Sequence, residues 1–254
     1  MLHDVKRFGK NLLVISIVVM ILGSGSIAQE YYSSMEDHAL IVDALAADRP
    51  NPSFIDSAIS SLEEGGYKVD LLTGENVTVD TLKSIDAGYD VVVFRVHSEA
   101  FKNQVFLFTA EPYSDYKHLQ EQMMFEVTGA SPGWSGDPVF AVGLNFMERH
   151  WRGKFNGSLI LMMGCRGFYN GSDIEGQKGL GASYLTTKWF IQQGASGYVG
   201  WDGLVDLEHT DKAISLLLRY MFTEGRGLDD VVNAVMREIG PDAHGSKLRY
   251  VIPH

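Results

Sequence analysis

From residue 38 onward the chain repeats one pattern. A short, mainly apolar run is followed by a stretch whose apolar residues recur at helical spacing. The runs are His38–Asp43, Tyr67–Leu72, Asp90–Val96, Ser158–Met163, Ser196–Trp201 and Leu248–Ile252. Between the first two, Phe54, Ile55, Ala58, Ile59 and Leu62 keep helical spacing after Ser53, a suitable N-cap, and Gly65-Gly66 ends the helix. Thr78 caps a second helix through Val79, Leu82 and Ile85, and further helices are expected at Ala182–Gln193, Thr210–Phe222 and Leu228–Ile239. Strands alternating with helices across short connections imply βαβ units and a parallel sheet covered on both faces. The expected fold is therefore α/β: a three-layer α/β/α sandwich around a mostly parallel sheet of six strands.

The stretch from about 100 to 155 breaks the rhythm and reads as an insert over one end of the sheet. Gln104–Thr109 alternates like a strand, alone or as half a hairpin, and Tyr113–Phe125 reads as a helix or a mobile flap. Gly129–Pro138 is a loop by composition, and Leu144–Trp151 is a short helix. No repeat or interdomain linker interrupts residues 29–254, which are read as one domain.

Residues 1–28 stand apart. Lys6, Arg7 and Lys10 precede an uncharged run from Leu12 to Leu22, and Ser26 and Ala28 follow as small residues. This is the layout of a secretory signal peptide, with an uncleaved N-terminal anchor as the competing reading. On either reading the body is secreted or held on the extracytoplasmic side, and any membrane contact is through this segment. The sequons at Asn76, Asn156 and Asn170 are consistent with export and add no weight.

Composition excludes several classes. The formal charge is −11, and removing the basic leader leaves the body more acidic, which argues against a nucleic-acid partner. Cys165 is the only cysteine among 254 residues, so neither a disulfide framework nor a cysteine-rich zinc site is available. His118, His150, His209 and His244 show no metal-binding spacing, and no cofactor is expected. Gly133-Trp134-Ser135-Gly136 misses the serine-hydrolase elbow, and Gly176–Gly179 lacks the phosphate-loop ending.

Ligands of an open α/β sheet bind beyond the carboxyl ends of its strands. Strands here end in Asp43, His97, Cys165 and Trp201-Asp202. A histidine and a cysteine ending neighbouring strands would set an imidazole against a thiol, the requirement of nucleophilic thiol catalysis. Gly164 permits a sharp turn, and amides around Ser98 and Gly164-Cys165 could hold an oxyanion.

An apolar strand ending in His97-Ser98, followed by one ending in Gly164-Cys165-Arg166-Gly167, resembles the signatures of caspase-like cysteine peptidases. The group includes gingipains, legumains and bacterial CHAT domains. The G-L-G-A-S, Q-G-A-S-G-Y-V-G and W-D-G segments between Gly179 and Asp211 resemble the gingipain and CHAT stretch after the cysteine. The resemblance implies a sheet order of 2-1-3-4-5-6, His97 as general base and acid, and Cys165 as nucleophile. It offers Asp43 as a residue that orients the histidine, against the plainer role of capping a turn. It implies a peptide or protein substrate, and calcium enters by resemblance alone. Ser98 stands where the family has glycine. Met163 stands where members cleaving after Arg or Lys carry an acid, so Asp173, Glu175 and Asp202 are the candidate polar substrate contacts and Trp201 a candidate pocket wall. The alternative is a non-catalytic module of the same fold that binds a protein or peptide.

Overall fold

The computed structural model describes residues 37–101, 104–131, 136–168 and 185–253. The N-terminal segment, Asp173, Glu175 and the Asn170 sequon lie outside them. Ten strands form: β1 (Asp37–Asp43), β2 (Tyr67–Thr73), β3 (Val91–Arg95), β4 (Ser98–Phe101), β5 (Gln104–Pro112), β6 (Val127–Ala130), β7 (Val139–Val142), β8 (Leu159–Met162), β9 (Gly197–Trp201) and β10 (Leu248–Val251). The helices are α1 (Pro52–Glu64), α2 (Val79–Lys83), α3 (Leu119–Met123), α4 (Leu144–His150), α5 (Leu185–Gln192), α6 (Leu207–Leu218) and α7 (Leu228–Ile239).

Six strands make a mixed sheet in the order β2-β1-β3-β8-β9-β10, parallel throughout except for the antiparallel pair β9–β10. Counting only its own strands, that order is 2-1-3-4-5-6. β3, β8 and β9 are buried along their whole length, which is why they read as unbroken apolar runs. Successive side chains alternate between the faces. Leu40, Val42, Val92, Phe94, Ile160 and Met162 join one core with residues of α2, α4 and α5. Ala39, Ile41, Val91, Val93, Leu159 and Leu161 join the other with α1, α6 and α7.

Local chemistry sets the helix starts. Asn51, not Ser53, caps α1: its side chain accepts the Phe54 amide, and Pro52 takes the first helical position, where a missing N–H costs nothing. Thr78 caps α2 as expected, with Thr81 returning the bond in a capping box.

The insert differs from expectation. The expected strand is one half of a hairpin with β4, and the insert goes further, forming a second, four-stranded antiparallel sheet in the order β4-β5-β7-β6. Its inward residues Val105, Leu107, Phe140 and Val142 share the core of the α2–α4–α5 face. The stretch expected as a helix or a flap contains the short helix α3, and around it Tyr116, Leu119, Met123, Met124 and Phe125 are exposed. Among the described residues, no helix is long and apolar enough to cross a membrane.

Candidate active site

Register places the two chemistry-bearing loops together. β3 pairs with β8 through Phe94↔Met162, and His97 and Cys165 each lie three residues beyond that pair. The loops also touch: the Ser98 hydroxyl donates to the Cys165 carbonyl at 2.7 Å. Gly164 is required by this contact. A Cβ there would overlap Ser98 Oγ and lie 2.7 Å from the Val96 carbonyl. Arg166 follows in the left-handed region (φ 54°), an uncommon conformation for a residue with a side chain, and its amide donates to Gly203 O at 2.7 Å. Its guanidinium pairs with Glu99, forming a second bridge between the histidine and cysteine loops.

The two loops also carry backbone amides without a partner strand. Phe108 N–H bonds His97 O, so Ser98↔Leu107 is a non-hydrogen-bonded pair and the Ser98 amide points away from β5. β4 is the edge of its sheet. The amides of Gly164 and Cys165 also meet no acceptor among the described residues. Among the described residues of these two loops, these three N–H groups have no backbone acceptor.

The thiol and the imidazole are not bonded to each other. Cys165 Sγ lies 3.6 Å from Val205 O, in the loop before α6, and His97 Nε2 lies 3.5 Å from Asp48 Oδ2. Burial pushes the Cys165 thiol up. Nearby Arg166 pulls it back, and Glu99 and Asp242 add to the rise. Burial pushes the His97 imidazole below its ordinary value against the pull of Asp48. Both shifts favour the uncharged forms, thiol and imidazole.

No contact joins Asp43 to His97 among the described residues. Its carboxylate receives Arg95 Nη1 at 2.8 Å and the Ala46 amide at 3.1 Å, because Asp43 and Arg95 are register partners across β1 and β3. The carboxylate at the histidine is Asp48, which the sequence did not single out. It follows a 3-10 turn (Ala44–Ala47) and has no local pattern that marks it. Trp201 is fully buried with its indole N–H on Thr210 Oγ1 at 2.8 Å, so it is a core residue and not an exposed wall. Asp202 is committed to the sheet edge, accepting the Lys247 amide at 2.8 Å and Arg249 Nε at 2.7 Å.

Two further features lie nearby or on other elements: a carboxylate cluster beside Val205, which Cys165 Sγ contacts, and a groove. Asp206, Asp242 and His244 bring one ligand atom each within 4.8 Å of one another, but both oxygens of Asp242 already accept backbone amides. A groove of about 710 Å³ runs along α7 and β10, and neither His97 nor Cys165 lines it.

No protein-family model matches the chain, and no curated protein matches it.

Proposed function

We propose that this chain is an exported cysteine endopeptidase with a caspase-like three-layer α/β/α sandwich. The observation that carries the reading is the equal offset of His97 and Cys165 beyond adjacent parallel strands. The sheet order and the three free amides at Ser98, Gly164 and Cys165 support it. The leader-like residues 1–28 support export.

The chemistry follows from a neutral pair. On substrate binding His97 takes the thiol proton as Sγ attacks the scissile carbonyl, and the loop amides receive the oxyanion. The imidazolium then protonates the leaving amine as the C–N bond breaks, leaving a thioester on Cys165. Water, deprotonated by His97, hydrolyses the thioester to the acid and restores the thiol. Asp48 is the residue that orients the imidazole. For substrate contacts, Asp173 and Glu175 are the candidate acids, because Asp202 is occupied and Trp201 is buried.

One observation favours a second reading, a non-catalytic module that binds a peptide in the same region: the thiol faces Val205 O and not His97. A peptide-library digestion read by mass spectrometry decides between them. Cleavage by the wild type that is lost in both Cys165→Ala and His97→Ala, with circular dichroism unchanged, is expected. Turnover retained in Cys165→Ala overturns the nucleophile, and no cleavage by the wild type favours the binding module.

A further inference from the structure

Arg95 is fully buried two residues before His97, and the mechanism above does not use it. Its Nε and Nη2 form a two-pronged pair with Asp211 of α6, both at 2.9 Å, while Nη1 donates to Asp43 at 2.8 Å. Nη2 also donates to the Arg49 carbonyl at 3.1 Å. Asn51 reaches the same cluster, its amide donating to Asp211 Oδ2 at 2.8 Å. The segment from Ala44 to Asn51 is thus fastened at three points: Ala46 to Asp43, Arg49 to Arg95, and Asn51 to Asp211. Asp48 is the residue in that segment that meets His97.

We infer that Arg95 is a positioning residue that, with Asp211, holds the Ala44–Asn51 segment so that the Asp48 carboxylate stays opposite the His97 imidazole. A buried ion network serves stability poorly compared with apolar packing of the same volume. A planar fork bonded to two carboxylates and a carbonyl at once fixes geometry, which a lysine cannot reproduce. The charged groups that bear on His97 are Asp48, Arg49 and Arg95, and the Phe108 ring packs beside it.

The inference rests on the reading of His97 as the general base, but its test needs no peptide cleavage. The His97 imidazole is titrated by nuclear magnetic resonance in the full chain, its signal assigned by loss in His97→Ala. Asp48→Asn is expected to move the midpoint down, because the carboxylate favours imidazolium. Arg95→Lys keeps the positive charge and loses the fork. It is expected to move the midpoint down toward that of Asp48→Asn, and the double variant should titrate like Asp48→Asn alone. If Arg95→Lys does not fold, Asn51→Ser carries the test: it retains a capping oxygen for α1 and loses only the amide given to Asp211. A downward shift is again expected. A wild-type midpoint in Asp48→Asn, or in whichever of Arg95→Lys and Asn51→Ser carries the test, overturns the inference. Absence of cleavage activity would leave these midpoints unchanged, so the two readings fail separately.

Discussion

A thiol and an imidazole that are both partly desolvated favour their uncharged forms, and this governs what Cys165 can do unaided. Burial acts on the two groups in opposite directions, raising the thiol and lowering the imidazole. Their charged neighbours then modulate them. Glu99 disfavours the thiolate and Arg166 favours it, although the two side chains are themselves paired. Alkylation of the native protein by iodoacetamide is therefore expected to accelerate with rising pH. At one pH in the rising limb, Glu99→Gln should react faster than wild type and Arg166→Gln more slowly. A reversed order would show that the thiol does not sense the bridge. The same scale shows what sequence could disclose. That the His97 and Cys165 loops lie side by side was legible because each ends an apolar run. Asp43 also ends one and was attractive for the same reason, but register sets it against Arg95. Register between strands some fifty residues apart is a tertiary property, and Asp48 gains its position only through it.

The elements that read cleanly were the buried strands and the helices with one apolar face. The strands of the parallel sheet announce themselves as apolar runs, and α7 carries one apolar face of Val231, Val232 and Val235. The second sheet did not, for a physical reason. β4, β6 and β7 have four residues each, too short for alternation to show, and Gly129 and Ala130 give β6 the composition of a loop. The joint between the sheets is tight, and Gly164 measures how tight. Gly164→Ala is expected to cost about 1–3 kcal/mol in urea unfolding, the usual penalty of overfilling a packed site. Adding Ser98→Gly should recover only part of this, because the Val96 carbonyl still stands 2.7 Å from the new Cβ. Full recovery would mean that the hydroxyl alone sets the requirement.

Across the whole molecule, acid sensitivity follows from carboxylates held below their ordinary range. Glu111 is the clearest. Burial alone would raise its carboxyl, but the Val79 amide, His118 and Lys117 outweigh burial and leave it lowered. A carboxylate lowered in the folded state adds stability above its ordinary value of 4.5, and that contribution is lost as pH falls through the folded value. Glu111→Gln should therefore lose about 1.5–3 kcal/mol at pH 7, with the difference from wild type shrinking as the pH drops below that range. A pH-independent difference would remove charge as the cause. The same carboxylate fastens α2 and His118 to the end of β5, beside the exposed Tyr116–Phe125 stretch. β3 ends at Arg95 and β4 begins at Ser98, so only Val96 and His97 join the two sheets there. In mechanical terms the imidazole is mounted on a coupling without slack. A load applied to the second sheet is delivered to His97 before any loop can absorb it.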